Sequence, residues 1–406
     1  MLGFATRVRL ARANVAVCAG IPDADRLAAA ALHAAARQGA QSMAGAARVL
    51  QGTVEGGPAL DAAIEAVGMS DPSCLSMVVE AICARLGRLG PTAMRTVQAE
   101  ALRRPDRWRE AMRLELRGDD PKNRHAAAVI LDQIGTIEDV GSLRKAAKTL
   151  RGAPGGASLG RGLARRLAPR VFVEDQGRVQ IQLGSELIPG TAVRRKVLAM
   201  LCFLLARPKM SATRDHVLDA LWPDLEPEIA ANSLNQTVYF LRRVFEPTFT
   251  EETSPNYVHH DSDVLWLDGE LVSSRSIRAR DAIRSAEVDA SPDNVEAVSA
   301  IYGGRFALDF AYEEWAVPYR DSLHAAYLEI IEKAVMADTN AGAFDRAIGL
   351  ARRATEVDPD AEQIELSLLK LCRRTGAHAA AAKLYAHYAA VLRNDLGIEP
   401  PPLDSL

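Results

Sequence analysis

Residues 221–243, LWPDLEPEIAANSLNQTVYFLRR, constrain the fold of this chain more than any other stretch. Leu234, Val238, Leu241 and Phe245 fall at i, i+4, i+7 and i+11, a single apolar stripe at helical period. At about 100° per residue, the opposite face carries Asn232, Gln236, Tyr239, Phe240 and Arg243, with Arg242 on its flank. Such a helix buries one side and offers amides and cations on the other. Amide side chains can bond bidentately to adenine, and Arg to guanine or phosphate, so this face suits a nucleic-acid groove. The bland alternative is a solvated helix surface, with Arg242 and Arg243 paired to Glu226 and Glu228 in exposed contacts worth ~0–1 kcal/mol.

The flanking segments decide between these readings. VFVEDQGRVQIQLGSELIPG (171–190) predicts two or three short alternating strands. Arg194–Leu205 predicts an amphipathic helix through Val197, Leu198, Leu201, Leu204 and Leu205. A second helix, Arg214–Leu221, follows Ser211–Ala212–Thr213, and the stripe helix runs from about Glu228 to Phe245. NYVHHDSDVLWL (256–267) alternates around Asp261–Ser262–Asp263 as a β-hairpin. Strands, three helices and a hairpin in this order make a winged helix-turn-helix.

The candidate DNA-binding residues are therefore Asn232, Ser233, Asn235, Gln236, Tyr239, Phe240, Arg242 and Arg243 on the stripe helix, with others around it. Arg194, Arg195 and Lys196 open a helix against its dipole, an unfavourable placement of roughly 0.3–1 kcal/mol that points to a phosphate partner. One of Arg242 and Arg243 is expected on phosphate, the other nearer bases. Ser211 and Thr213 are expected to cap the second helix and could also touch phosphate. His259 and His260 are adjacent on a strand, point to opposite faces and cannot chelate together, so they read as a surface or phosphate-facing pair. Trp222, before Pro223, reads as core.

A chain of 406 residues exceeds one typical core, so several domains are expected. Residues 1–151 are Ala-rich and broken by Gly, Pro and Asp at 20–25, 52–58, 70–73, 89–91 and 118–122, the pattern of short packed helices. Within them RHAAAVILDQIGTIEDVGSLRKAAKTL (124–150) reads as one HEAT-type hairpin, broken at Gly135. This would be a helical-repeat domain with a sensory or regulatory role. GAPGGASLGRGLARRLAP (152–169) lacks periodicity and reads as a linker; its arginines, with Arg170, could touch DNA backbone, though solvation is the simpler reading. Residues 170–285 are then the winged helix and 286–406 a helical domain. In that last part Trp315 through Met336 predicts one long helix. The segments 342–363 and 376–400 each begin with Gly and end near Pro, as tetratricopeptide-like helix pairs do. The expected fold class is mainly α, with HEAT- or TPR-like helices, a central winged helix with small sheets, and a TPR-like C-terminal domain.

The order of parts resembles the Streptomyces-antibiotic-regulatory-protein (SARP) type of bacterial transcription activator over roughly residues 170–406. The resemblance rests on LDALWPD (218–224), the helix ending Leu241–Arg242–Arg243, GGRFALDF with Trp315 and Arg320 (303–320), EVDPDAEQ (356–363), and the exit YxxYxxxLRxxLGIEPxP that contains LGIEP (396–400). It implies a response-regulator-type winged helix followed by a bacterial transcriptional activation (BTAD) domain. It also implies binding to direct repeats in double-stranded DNA upstream of promoters, dimers at least on DNA, and recruitment of RNA polymerase through the sigma subunit. Two features depart from the family. EPTFTEETSPNYVHH (246–260) is longer and more acidic than the usual basic lead into the wing. His259, His260 and Asp261 stand where Arg or Gly is usual.

Enzymatic readings find little support: the chain has no GxSxG, HExxH, dinucleotide fingerprint or GxxxxGK[ST], and no cofactor or metal is expected. Five scattered cysteines, Cys18, Cys74, Cys83, Cys202 and Cys372, read as buried reduced thiols in a cytoplasmic protein. No apolar run approaches a membrane span, and Arg7, Arg9 and Arg12 interrupt any signal-peptide core. Net charge is −3, with residues 1–165 basic on balance and those after about 285 acidic. The function expected is a sequence-specific transcriptional regulator. The alternatives are a helical scaffold that does not bind DNA, and a regulator gated by a ligand of the N-terminal domain.

Overall fold

The computed structural model describes residues 2–55, 72–150, 152, 155–261, 263–395 and 397–403. The expected breaks at 56–58 and 70–71, Cys74, the start of the 152–169 stretch, Ser262 of the hairpin tip and Leu396 of the exit motif lie wholly or in their side chains outside the described residues. Contacts divide the chain into two compact units, residues 1–168 with 250–255, and residues 169–249 with 256–406.

The first unit is helical: α1 (Leu2–Ala19), α2 (Ala24–Arg37), α3 (Gln41–Glu55), α4 (Pro72–Cys83), α5 (Pro91–Arg103), α6 (Pro105–Leu116), α7 (Pro121–Ile134), α8 (Ile137–Thr149) and α9 (Arg161–Leu167). Pro opens α5, α6 and α7 at the first turn, where its missing N–H costs nothing. Small Ala28, Ala31, Ala47, Ala127 and Ala128 sit fully inside the core and let helices approach closely around Trp108. The α7–α8 pair is the hairpin expected at 124–150: Ala127, Ile130, Leu131, Val140 and Leu143 are buried, and Gly135 caps α7. Its turn is fixed by a capping box between Thr136 and Asp139, and the Arg113 guanidinium clasps the Asp139 carboxylate at 2.6 and 2.9 Å.

The stretch 152–169 corrects the linker expectation. Gly156–Ser158 make a 3₁₀ turn and Arg161–Leu167 form α9, whose Leu163 and Ala164 join Leu159 in the core of this unit. Composition hid this because two leucines four residues apart are enough to dock one short helix. Of the cysteines, Cys83, Cys202 and Cys372 are buried as expected, whereas Cys18 is exposed.

The second unit joins the winged helix and the helical domain, expected as separate domains, into one body. β1 (Val171–Glu174) pairs antiparallel with β2 (Gln180–Leu183) and parallel with β7 (Val272–Ser274); β2 pairs with β3 (Glu186–Pro189), giving the order β3-β2-β1-β7. Val171, Val173, Ile181 and Leu183 alternate inward and are buried. α10 (Arg195–Leu205) is buried at every position from Val197 to Leu205, beyond the single stripe expected. α11 (Arg214–Leu221) and α12 (Pro227–Phe245) follow. β4 (Ser211–Thr213), β6 (Val264–Leu267) and β5 (Val258–His260) form a second sheet, order β4-β6-β5.

The helical part comprises α13 (Arg275–Val288), α14 (Pro292–Ile301), α15 (Val317–Asn340), α16 (Phe344–Val357), α17 (Glu362–Arg374) and α18 (His378–Asp395). The long helix therefore begins and ends a few residues later than the sequence pattern indicated. Tyr327, Ile331, Leu350, Ala351 and Leu368 centre its core. Gly342 and Gly376 both take φ of +77°, the left-handed turn that sequence spacing marked at the head of each repeat.

The join between the two parts is built from backbone. The loop after α14 lies on the β1–β2 turn: Gly177 N–H donates to Arg305 O, Ala307 N–H to Asp175 O, and Leu308 N–H to Gly177 O. From the other side the buried Arg320 of α15 donates to the carbonyls of Phe306, Ala311 and Phe310 at 2.7–2.9 Å and to Ala307 at 3.2 Å. Asp175, fully buried, accepts from Ser276 N–H and Oγ at 2.7 and 2.6 Å and anchors the start of α13. Burial pushes its carboxyl up to about 6 against these hydrogen bonds.

Arg320→Met should strip the side-chain donor from four carbonyls, of which Ala307 and Phe310 keep a backbone donor, and lower unfolding free energy by on the order of 3 kcal/mol, read from urea midpoints at unchanged slope. Arg320→Lys should rescue little, because an ammonium cannot span that fan. The Asp175 carboxyl is raised in the folded state, so its contribution is fully present below 3.8 and is lost as pH climbs through about 6. Asp175→Asn should therefore remove a fall of about 3 kcal/mol in stability between pH 4 and 7. A variant curve with the parent's slope across that window would refute the assignment.

Candidate nucleic-acid interface

α12 is a recognition-type helix held on three sides. Leu234, Val238, Leu241 and Phe245 are buried, as the stripe requires, against α10, α11 and β5. Glu228 in the first turn and Arg242 and Arg243 in the last complement the helix dipole. Asn232, Asn235, Gln236, Tyr239 and Arg243 are exposed, while Ser233 and Phe240 are half-buried. Ser233 Oγ donates back to Ile229 O at 2.9 Å, so its hydroxyl serves the helix. Arg243 reaches the Tyr239 hydroxyl at 3.5 Å on the same exposed face.

Ile229 was missed by sequence reading. It is 55% exposed and lies three residues before Asn232 and seven before Gln236, on the same face. Extending the polar-face spacing toward the helix start would have found it. Leu225, just ahead of the helix, is 41% exposed.

The three basic residues at 194–196 are brought to the same corner, but each has an internal partner. The Arg194 guanidinium lies 3.7 Å over the centroid of the Phe240 ring, itself edge-on to Tyr239. Arg195 Nη2 meets Glu313 at 3.2 Å. Lys196 Nζ donates to Leu221 O at 2.5 Å, satisfying the C-terminal end of α11. The cost of cations at this helix start is thus partly offset inside the protein, so for Arg195 and Lys196 that cost by itself no longer requires a phosphate partner. Arg194, the N-cap of α10, stays exposed beside α12.

Arg242 also departs from expectation. Its Nε donates to Val258 O at 3.2 Å and its guanidinium lies 5.5 Å from the Phe249 ring, so it ties α12 to the wing. Thr213 caps α11 as expected, accepting from His216 N–H at 3.3 Å. Ser211 does not cap; it is in β4, opposite Trp266.

The wing histidines face the protein more than the solvent. His259 stacks on Trp266, its cross-strand partner, at 4.6 Å between centroids, and Nε2 sits 3.5 Å from Asp268. His260 is half-buried, and burial, Arg242 and Arg214 hold its pKa below the ordinary value. Trp222 is buried, as a core residue should be. Among the described residues no cluster of His, Cys, Asp and Glu could hold a metal ion, and no helix is long and apolar enough to cross a membrane.

Comparison with known proteins places this geometry. Residues 267–403 match the bacterial transcriptional activator domain. Regulatory protein AfsR of Streptomyces griseus is 24% identical over 227 residues, 56% of this chain and 23% of the relative. The AfsR of Streptomyces coelicolor is 24% identical over 219 residues, 54% of this chain and 22% of the relative. The match thus spans less than a quarter of either relative's length. The structure of Mycobacterium tuberculosis EmbR in complex with a low-affinity phosphopeptide is similar at a TM-score of 0.42 and 18% identity, over 58% of this chain and 63% of that one. A winged helix thus leads into a segment that matches the bacterial transcriptional activator domain, and just over half of the chain is similar to the AfsR regulatory proteins.

Proposed function

We propose that the chain is a sequence-specific DNA-binding regulator, an activator that works in the bacterial cytoplasm and reads the major groove with α12. The observation that carries this reading is the exposed face of that helix. Ile229, Asn232, Asn235, Gln236, Tyr239 and Arg243 are presented on a helix whose other side is locked into the core. Asn and Gln supply the amide pair for adenine, Arg243 a fork for guanine or phosphate, and Ile229 an apolar contact for a thymine methyl. Arg194, stacked on Phe240, adds a positioned cation beside the groove-facing surface. Arg242 contributes by setting the wing against the helix, not by touching phosphate.

The domain match and the resemblance to SARP-type activators support the finer parts of the proposal: direct repeats upstream of promoters as the site, a homodimer on that site, and RNA polymerase, through its sigma subunit, as the partner of the assembled complex. The N-terminal helical unit, outside the matched domain, would then set when the winged helix acts.

The test is fluorescence anisotropy against upstream DNA from the gene's own neighbourhood, at several salt concentrations and with scrambled competitor. Gln236→Ala should relax preference at one base position by ~1–3 kcal/mol. Arg243→Ala should weaken the specific site, and if it contacts phosphate should flatten the salt slope by about one unit. Specific binding that is unchanged in both variants would move the DNA surface off α12. Binding that is absent at low salt would favour a scaffold.

A further inference from the structure

The acidic C-terminal half holds one surface with the opposite character. α15, α17 and the start of α18 enclose a groove of about 1000 Å³. Val335, Met336, Thr339 and Asn340 of α15 line one wall, at the i, i+1, i+4, i+5 spacing of a single helix face. Gln363, Ser367, Lys370, Leu371 and Arg374 of α17 line the other, again on one face. The floor is apolar through Val335, Leu371 and Ala381, while Met336 is 65% exposed at the rim. A polar residue here would have been as easy to accommodate, so an open methionine on a grooved surface marks a contact surface of adaptable shape.

Charge decides what fits. Residues after about 285 are acidic on balance, yet among the described residues Lys370, Arg373, Arg374 and His378 converge on this groove against one carboxylate, Glu332. Lys370, Asn340 and His378 have no hydrogen-bond or ion-pair partner among the described residues. The Arg374 guanidinium lies over the Phe344 ring, 4.9 Å from its centroid, a contact that leaves its N–H groups to a ligand. A stretch of main chain is already accommodated at one end: Arg373 Nη1 donates to Leu403 O at 2.7 Å and Tyr385 Oη to Pro401 O at 2.9 Å. The chain's own segment 401–403 thus displays, at the edge of the groove that Leu403 helps to line, the kind of main-chain contact that a peptide ligand would make within it.

We propose that this groove docks an extended acidic peptide segment of a partner protein, with its apolar side chains on Met336 and Leu371 and its carboxylates on Lys370 and Arg374. Nucleic acid would also meet the cations. It would leave the apolar floor and the methionine unexplained, so a peptide is the better fit. The inference stands apart from DNA recognition, because none of these residues lies on the winged helix.

The experiment uses the full chain and a fluorescein-labelled decapeptide in which Glu and Leu alternate. Anisotropy should rise on titration, weaken with salt, and fail for the peptide with Lys in place of Glu. Lys370→Glu and Met336→Glu are at exposed positions and should each weaken binding tenfold or more, with thermal melts and upstream-DNA affinity equal to the parent's. Four results would overturn the proposal: no binding of the acidic peptide, equal binding by both variants, displacement of the peptide from the parent by a duplex oligonucleotide, or a parent that self-associates through the groove and loses this in Met336→Glu. Loss of DNA binding alone would bear on the function proposed above and leave the groove untouched.

Discussion

The second unit depends on one buried guanidinium. Arg320 is 6% exposed and spends its donors on four consecutive-loop carbonyls, those of Phe306, Ala307, Phe310 and Ala311. That loop has too little regular structure to satisfy its own backbone, and buried carbonyls without donors are costly. With the loop held, Ala307 and Leu308 N–H can bond the β1–β2 turn, and Asp309 can accept from Val179 N–H at 2.7 Å. Trp315 then meets Phe203 of α10 at 5.8 Å and Phe310 at 5.5 Å. A winged helix and a helical domain thereby meet along an aromatic seam. Remove the guanidinium and both sides of the join lose their template.

The same economy governs the winged helix. Several of its cations are committed to protein: Lys196 to the end of α11, Arg242 to β5, Arg195 to Glu313. These bonds aim α12 and its wing but withdraw charge from any phosphate. The face that remains is amide, aromatic and a pair of arginines, and such a surface discriminates by base-edge contacts more than it attracts by charge. Weak non-specific attraction and geometric precision are consistent with a net charge of −3.

How much was legible in the sequence follows from which forces act locally. The α12 stripe, the helix-helix-hairpin order and the glycines at 342 and 376 are periodic or conformational signals, and they were readable without contacts. The internal partners of Arg194, Arg195, Lys196 and Arg242 lie 16 to 118 residues away in sequence, so no local pattern could reveal them. The dipole argument at 194–196 recognised a cost that these internal contacts partly offset. The 152–169 stretch misled for the opposite reason. Its glycines and arginines dominate composition, while Leu159 and Leu163 alone decide its docking. On α12 the polar residues were found and Ile229 was passed over, because an apolar residue off the stripe looks like noise until exposure is known.

α15 connects the two ends of this unit. Arg320 lies in its first turn and Met336 and Asn340 in its last, so 20 residues of continuous helix, about 30 Å, separate the join from the groove. A communicating switch would need an element with two arrangements, biased from both ends. A helix whose Leu323, Tyr327, Ile331 and Val335 are buried in a single core offers no such alternative. The rigid rod instead fixes where an occupant of the groove stands relative to α12. A partner docked there would be held at a set distance from whatever α12 contacts, raising its effective concentration without altering the winged helix. Rigid positioning of this kind makes the contribution of the groove additive to that of the recognition helix, and separable from it by mutation.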